Sequence, residues 1–470
     1  MAVAREKRKK IKLNGSLFAI ASNFLSRGFG FIFTPIFTRL LSPDEYGIYS
    51  LYVGLMGLFT VFVTFEIPGN VTYRALARFG KENEERFLSA ALGMISLLNI
   101  FFVSVFILFR RWINGMTSLG TPLTLCLFAQ IFFNAAIGLY FSKKRYHGRV
   151  LPVALINLAT GLLPPTFSVA LIRLGGGGSA RIFSSLTVSA AIALPICFDI
   201  LHRGKRLFSR DEWKFLFRMT LPQLPHYLAL SAIAQSDKIV IARGFGDGEV
   251  GKYSAAMSLG LAPSILTSAL MLALSPWLIR KLGEGGYGSI EKTVTPLVKA
   301  VFLLTLAYFS LLPEIFSLLL ARSYGEALPT AYPAAMSVAV LFPTSCISSC
   351  LLHYEKPHLG AKNTIIAAGV CVFLCILLSS RISYKATSFG SLGAYILLFL
   401  MNRRTLKKLS EGRINVNISW RFALFVLGFA LAFYLIRESL AARLILLLAL
   451  LLSALPEVKN YKRLLVFKRA

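Results

Sequence analysis

Long runs of apolar residues, separated by short polar segments, recur along the entire 470-residue chain. Most runs are about 20 residues long, the length of helix that the hydrocarbon core of a bilayer requires. They predict about fourteen transmembrane helices, near residues 14–38, 46–67, 87–109, 118–141, 151–172, 181–201, 219–241, 253–279, 294–312, 330–352, 361–380, 386–402, 419–436 and 442–456. The pattern therefore predicts an all-α polytopic membrane protein.

A polar motif occurs twice, 204 residues apart, and each copy lies between two apolar runs. Residues 39–50 read RLLSPDEYGIYS, residues 243–254 read RGFGDGEVGKYS, and both fit the pattern Arg-x5-Glu-x-Gly-x-Tyr-Ser. A motif repeated in the same helix–hairpin–helix context indicates an internal structural repeat. Because each half holds six helices, an even number, we predict two six-helix bundles related by a pseudo-two-fold axis along the membrane normal.

Two basic segments separate the predicted parts of the chain. We predict an N-lobe over residues 1–201, a basic cytoplasmic linker over 202–218, a C-lobe over 219–402, and a C-terminal helix pair with a basic tail over 403–470. The basic start of the chain precedes a long apolar stretch without a small-residue cleavage site, so we interpret it as an uncleaved first helix. Prolines predict interrupted helices: Pro164 and Pro165, Pro195, Pro222 and Pro225, Pro263, and Pro343.

Composition agrees with this interpretation, since 56% of the residues are hydrophobic and only 15% are charged. The net charge of +30 would also suit a nucleic-acid-binding protein. When the N-terminus is placed in the cytoplasm, however, most of the 51 Lys and Arg residues fall in cytoplasmic segments, as the positive-inside rule requires. This asymmetry predicts that both termini are cytoplasmic and makes nucleic acid the weaker explanation. Anionic lipids of the inner leaflet would favour the same placement.

The sequence shows no pattern that is typical of an enzyme site. The predicted outer segments are short, and the chain has no Ser/His/Asp grouping, no H-E-x-x-H motif and no Walker A motif. We predict no catalysis and no cofactor. The run of four glycines at 175–178 is interpreted as a flexible hinge. Two cysteine pairs, Cys346 with Cys350 and Cys371 with Cys375, are spaced i, i+4 in apolar helices, which fits either a metal site or small packing residues; we expect no structural disulfides.

The first predicted helix carries a polar stripe. Its members share one face: Ser16, Asn23, Arg27, Gly30 and Thr34. Arg27 falls near mid-membrane, where a lone cation is costly unless it faces a wet cavity or a partner. We therefore predict that Arg27 binds substrate; the alternative is a buried hydrogen bond to a helix carbonyl or to Glu66.

The 204-residue offset maps this stripe onto the seventh predicted helix, at Thr220, Tyr227, Ser231, Ala234 and Lys238. Lys238 corresponds to Thr34 and would lie about 10 Å nearer the outside than Arg27. If the halves face each other across a cleft, both cations point into it, with Asn23 and Tyr227 as polar neighbours. The alternative for Lys238 is snorkelling to the outer surface.

Further charges lie near the predicted second and seventh helices. Arg74 and Arg78, spaced i, i+4 at the predicted cytoplasmic mouth, suit a phosphate, and the alternative is ordinary positive-inside charge. Glu66 closes the second predicted helix, and Asp237 adjoins Lys238. Both carboxylates are candidates for coupling transport to H⁺ or Na⁺, whereas a solvated helix end is the alternative for Glu66.

Taken together, several segments resemble the polysaccharide-transporter flippases, the Wzx-type exporters of the multidrug/oligosaccharidyl-lipid/polysaccharide superfamily. The resemblance covers most of the chain and is carried by residues 37–50, 71–74, 221–226, 236–240, 251–254, 313–315 and 324–329. It implies a V-shaped, two-lobed bundle that alternates between inward-open and outward-open states. The implied cargo is a polyprenyl-pyrophosphate-linked oligosaccharide.

The resemblance also suggests roles for particular parts of the chain. Related lipid II flippases use cavity arginines for the pyrophosphate, and Arg27 is the matching candidate, although the full arginine cluster is absent here. Helices thirteen and fourteen resemble the lipid-tail groove of those relatives.

We hypothesise a flippase of the bacterial inner membrane, monomeric, working alone or with glycan polymerase machinery. The alternatives are a multidrug or other small-molecule exporter of the same architecture and, in a different class, a glycan polymerase or ligase.

Overall fold

The structure is a computed structural model that describes residues 22, 25, 28–80, 82–117, 119–354, 356–414 and 419–461. All regular secondary structure in these residues is helical. The helices are α1 (Gly28–Leu40), α2 (Pro43–Thr64), α3 (Thr72–Phe79), α4 (Glu84–Leu108), α5 (Arg110–Thr117), α6 (Gly120–Tyr146), α7 (Val150–Arg173), α8 (Ser179–Gly204), α9 (Arg210–Thr220), α10 (Leu224–Phe245), α11 (Asp247–Gly260), α12 (Ser264–Gly283), α13 (Tyr287–Leu319), α14 (Leu328–His353), α15 (Pro357–Arg381), α16 (Thr387–Leu409), α17 (Trp420–Leu435) and α18 (Leu440–Tyr461).

Within the described residues, nine helices are long and apolar enough to cross a membrane, and three shorter apolar helices accompany them. The predicted all-α membrane fold is confirmed, whereas the number fourteen stays a prediction. The described part of every predicted span is mostly helical. The eighth predicted span differs, because the chain breaks at residues 261–263, around Pro263, and forms two helices, α11 and α12.

Not every proline interrupts its helix. α7 runs without a break through Pro164 and Pro165, so our prediction that they split it was wrong. α8 and α14 likewise continue through Pro195 and Pro343. Neighbouring groups can satisfy a carbonyl freed by proline in a membrane helix, which is why proline alone does not locate a break.

The chain divides into two compact units, residues 1–251 and 252–470. In the first unit, a buried cluster joins α3, α4, α6, α8 and α9. A polar chain also links three helices: the Tyr52 hydroxyl of α2 donates to Gln130 of α6 at 2.7 Å, and the Gln130 amide donates to Ser185 of α8 at 2.5 Å. These bonds fix α2 on one side and leave its other side for α10.

The second unit has its own core, formed by α12, α13, α14, α16, α17 and α18. One of its cations is almost fully buried: Arg443 of α18 donates two hydrogen bonds to Glu314 of α13 and another to the Ser310 carbonyl. Cys346 and Cys350 are buried in this core, with the Cys346 sulfur 3.6 Å from the Met271 sulfur. The contacts of Arg443 attach α18 to α13.

Candidate functional site

The two copies of the repeated motif meet at their glycines. A Cβ placed on Gly47 would lie 1.8 Å from the carbonyl oxygen of Asp247, and one on Gly251 would lie 1.9 Å from that of Pro43. The contact is reciprocal, because Pro43 and Asp247 are themselves related by the 204-residue offset. Only glycine permits backbones to approach this closely. We call this contact between α2 and the start of α11 the glycine crossing.

The first copy is fastened by its glutamate. Ser42 caps α2 in a capping box, in which Glu45 bonds back to the Ser42 backbone at 3.0 Å. The other Glu45 oxygen accepts a 3.0 Å hydrogen bond from the backbone N–H of Gly178. The end of the glycine run at 175–178 is therefore packed and bonded to the motif, which our hinge interpretation did not anticipate.

Lys238 lies in a seam between α10 and α2, on the same α10 face as Ser231 and Gln235. Its stem packs against Gly54, where a Cβ would lie 3.4 Å from the Lys238 Cδ atom. Its ammonium donates a hydrogen bond to the Gln235 side chain at 2.9 Å. Ser231 donates to the Gly57 carbonyl at 3.3 Å. The Lys238 side chain is thus turned toward the N-terminal end of α10, away from the helix end that snorkelling would require.

Asp237 is 2% exposed and sits about 100° around α10 from Lys238. One of its carboxylate oxygens accepts a 2.8 Å hydrogen bond from the Lys238 backbone N–H. The buried carboxylate and the neighbouring cation therefore occupy different sides of one helix.

Glu66 lies in a strained turn that follows α2. Both Phe65 and Glu66 have left-handed backbones, with φ of 47° and 54°, which costs a non-glycine residue about 1–2 kcal/mol. The turn leads into a π-helical segment, Ile67–Val71, which α6 holds through Ser142, a donor to the Pro68 carbonyl. Burial raises the pKa of the Glu66 carboxyl above its ordinary value. Strain at a partly buried carboxylate is a frequent mark of a functional position.

Tyr227 connects this carboxylate with Arg74. The Tyr227 hydroxyl, in the first turn of α10, is within electrostatic range of both Glu66 and Arg74. Arg74 is exposed on α3, while the guanidinium of Arg78 stacks over the ring of Phe215, 5.1 Å from its centroid. We refer to Glu66, Arg74 and Tyr227 as the mouth cluster.

The structure brings some predicted site residues together and separates others. Lys238 follows Tyr227 by eleven residues, about 16 Å along α10, so the seam and the mouth cluster are different places. Arg27 and Asn23 lie outside the described residues. Their predicted roles, and those of the described residues, stay predictions.

Comparison with known proteins places this geometry in a family. Residues 13–282 match the family model described as "Polysaccharide biosynthesis protein". The match covers more than half of the chain and includes both motif copies, the seam and the mouth cluster. The chain belongs to the polysaccharide biosynthesis protein family.

Two similar proteins are 26% and 22% identical to this chain. The first is an uncharacterized membrane protein of Methanocaldococcus jannaschii, aligned over 64% of this chain and 75% of its own. The second is the succinoglycan biosynthesis transport protein ExoT of Rhizobium meliloti, aligned over 81% of this chain and 75% of its own.

Two solved structures have a similar fold. The lipid II flippase MurJ, in an inward closed conformation, matches with a TM-score of 0.75 at 15% identity, covering 96% of this chain and 99% of its own. An inward-facing multidrug resistance MATE family transporter of the MOP superfamily matches with a TM-score of 0.64 at 14% identity, covering 84% and 96%. The predicted MOP-like fold is therefore confirmed.

Sequence reasoning missed several residues that this family member places around the site. Gln235, which binds Lys238, is one turn away on the same face, so helical spacing would have found it. Arg181 of α8 was also missed: its guanidinium lies 4.0 Å and 3.7 Å from the ring centroids of Phe37 and Tyr49. It follows the glycine run directly, but its aromatic partners are more than 130 residues away in sequence, so no local signal indicates them.

Proposed function

We propose that this protein is a flippase that carries a polyprenyl-pyrophosphate-linked oligosaccharide from the cytoplasmic to the outer leaflet by alternating access. The observation that carries the proposal is the arrangement of cations: exposed Arg74 lies in the mouth cluster, and half-buried Lys238 lies about 16 Å along α10 from Tyr227 of that cluster. Family membership supports a role in polysaccharide biosynthesis. The transport protein ExoT and the flippase MurJ support transport over catalysis.

The separation of the two cations suggests that they act in sequence. Arg74 meets the pyrophosphate first, at the cytoplasmic end, because guanidinium groups pair well with phosphate oxygens. Lys238 meets it deeper in the membrane, together with Arg27, while Asn23 and Tyr227 contact the sugars. The polyprenyl tail stays in lipid. For the deeper step, the seam must loosen, because the Lys238 ammonium now binds Gln235.

Coupling to a cation gradient or to the membrane potential drives the return of the empty protein. Glu66 and Asp237 are the candidate coupling residues, and the cation is H⁺ or Na⁺. Glu66 suits a proton, because burial raises the pKa of its carboxyl above the ordinary value. In this orientation the protein lies in the bacterial inner membrane with both termini cytoplasmic, and it acts as a monomer.

The test is transport in proteoliposomes that contain a labelled polyprenyl-pyrophosphate oligosaccharide. The outward appearance of label should depend on the protein and should fall at least fivefold in Lys238→Gln at equal reconstitution, because one charge-assisted contact is lost. Arg404→Gln is the control, since Arg404 is an exposed arginine on α16, which belongs to the second unit. Unchanged label movement in the absence of the protein, or full activity of Lys238→Gln, contradicts the proposal.

The second candidate is a multidrug exporter, which the similarity to the MATE transporter favours. It predicts efflux of cationic dyes from the same proteoliposomes and no movement of the labelled glycolipid. A glycan polymerase or ligase would instead change the length or attachment of the glycan while label still reached the outer leaflet.

A further inference from the structure

The segment that connects α8 to α10 was predicted as a basic linker, but it folds as part of the first unit. Residues 204–208 cross α4 closely: a Cβ on Gly93 would lie 2.2 Å from the Leu207 carbonyl oxygen, and one on Gly204 would lie 2.2 Å from the Ser89 Cβ. The helix that follows, α9, is amphipathic. Its position is therefore set by close backbone packing against a membrane helix.

One face of α9 is fixed to α4. Leu216 is fully buried in the core of the unit, and the Trp213 indole N–H donates to the Ala90 carbonyl at 2.9 Å. The buried carboxylate of Glu212 forms an ion pair at 3.1 Å with Arg86, whose side chain is partly exposed. These contacts determine which side of α9 is left uncovered.

The uncovered side carries basic and apolar residues together. Arg210, Lys214 and Arg218 are spaced i, i+4, i+8 and are all exposed, whereas the only exposed acid on the helix is Asp211 at the edge of this face. Large apolar side chains lie among and beside them: Leu207 (53% exposed), Phe208 (68%), Phe217 (41%) and Leu221 (55%). Water alone would not favour this mixture, but the boundary of a bilayer would.

The height of α9 along the bundle agrees with that boundary. The Leu207 carbonyl adjoins Gly93, which lies six residues, about 9 Å, inside the predicted start of the membrane span of α4. Leu207 and Phe208 therefore reach the edge of the hydrocarbon layer, while the basic stripe of α9 lies at headgroup level. Charge complementarity then selects the lipid, because guanidinium and ammonium groups at this depth attract anionic headgroups.

We propose that the outer face of α9, formed by Arg210, Lys214, Phe217, Arg218 and Leu221, is a binding site for anionic phospholipids of the surrounding leaflet. The apolar side chains enter the acyl region and the three cations hold the headgroups. The site also touches the turn after α2, since the Phe217 ring lies 6.1 Å from that of Phe65, next to Glu66. The inference concerns the lipid surface and does not depend on which molecule the protein transports.

The experiment uses the full-length protein in nanodiscs, with a tryptophan reporter introduced by the substitution Phe217→Trp. Brominated phosphatidylglycerol and brominated phosphatidylcholine are titrated separately as quenchers, and the protein without the substitution serves as the blank. Phosphatidylglycerol should quench the reporter at lower mole fraction than phosphatidylcholine. In the same background, Arg210→Gln/Lys214→Gln/Arg218→Gln should reduce this preference by about fivefold for each charge lost, until it approaches one.

The matched control is Arg404→Gln/Lys407→Gln/Lys408→Gln on α16, which removes the same charge from another exposed basic stripe and should leave the preference unchanged. Size-exclusion profiles and near-UV circular dichroism check that each variant is folded. If neither lipid quenches the reporter, or both quench it equally, the proposed site does not exist. Equal loss of preference in the α16 control would also overturn it, because the effect would then come from net charge alone.

Discussion

In the first copy of the repeated motif the chain turns at Ser42, whose side chain caps α2; in the second copy the equivalent position is Gly246, with φ of 91°. The helix that follows runs for 22 residues in the first copy and only 14 in the second. The glycine crossing, in contrast, is the same from both sides. The symmetry of the halves is therefore retained where the backbones touch and is lost in the parts around them.

The difference grows beyond the motif. At the same 204-residue offset, Glu66 and Arg74 correspond to Leu270 and Leu278, which pack in the core of the second unit. The second unit uses its buried arginine, Arg443, to hold helices together. The repeated motif thus serves to pack helices. Among the described residues, the charged mouth cluster has no equivalent at the matching positions of the second half.

The largest effect is expected at the glycine crossing. Gly47→Ala and Gly251→Ala each place a methyl group within 2 Å of a backbone oxygen that cannot rotate away. The helices must separate, which should cost about 3 kcal/mol or more of unfolding free energy and lower the thermal midpoint equally in both variants. Gly369→Ala in α15 is the control, because no described atom would lie within 4 Å of its Cβ. Unequal losses at Gly47 and Gly251 would show that the contact is not symmetrical in energy.

The next effect concerns the paired charges of the second unit. Arg443→Met removes a two-point bond to Glu314 and should lower stability by about 2 kcal/mol, measured by thermal unfolding in detergent. Adding Glu314→Gln should restore part of the loss, because a neutral amide then replaces the carboxylate that lost its partner. Arg437→Met, at a half-exposed neighbour, should change stability little. If Arg443→Met instead reduced transport and left stability unchanged, Arg443 would act in transport, as we propose for the charges of the first unit.

Arg74→Gln tests whether the mouth cluster of the first unit acts in transport. Since Arg74 is exposed, stability should be unchanged, whereas transport of the labelled glycolipid should fall about tenfold through loss of a charge-assisted contact. Arg78→Gln is the matched variant one helical turn away, where the guanidinium stacks on Phe215, and it should retain most activity. Equal losses in both variants would indicate general attraction by positive charge.

The smallest effect is a pH dependence at Glu66. Because burial raises its pKa above 4.5, the folded protein binds this proton at higher pH than the unfolded chain does. The resulting stabilisation is complete below the ordinary carboxyl pKa and is lost as the pH rises through the raised value. Glu66→Gln should therefore be more stable than the parent at pH 8, and the difference should shrink toward pH 5 in thermal unfolding. A difference that does not vary with pH would mean that Glu66 does not titrate differently in the folded state.

Much of the fold could be predicted because it depends on local pattern. Apolar runs located the described spans, and the repeated motif identified the residues that later proved to form the crossing, although not their contact. The break after α11 lies at Pro263, where the sequence predicts an interruption. The break after α2 was harder, because it depends on packing: Gly138 of α6 makes room for Pro68 of the turn after α2. Residues 202–218 were interpreted by charge alone. The burial of Leu216 and the hydrogen bond of Trp213 to α4, which hold α9 in the first unit, were overlooked.

The candidate site could be predicted only in part. Lys238 was identified by applying the 204-residue offset to the polar stripe of the first predicted helix, and the structure adds that Gly54 provides the space for its stem. The nearness of Tyr227 to Glu66 joins residues about 160 positions apart, and no periodicity in a single sequence reports such a pair. The same holds for Arg443 and Glu314, since the sequence contains many charges and does not indicate which two will meet.

The reciprocal contact of Gly47 and Gly251 has the form of an isologous dimer interface, in which one patch binds a second copy of itself. Here both copies belong to one polypeptide. A separation of the helices that makes room for alanine at one glycine therefore also makes room at the other. The double alanine variant should be hardly less stable than either single variant. In this respect the contact within the chain resembles that of a homodimer, because one separation of the backbones serves both equivalent positions.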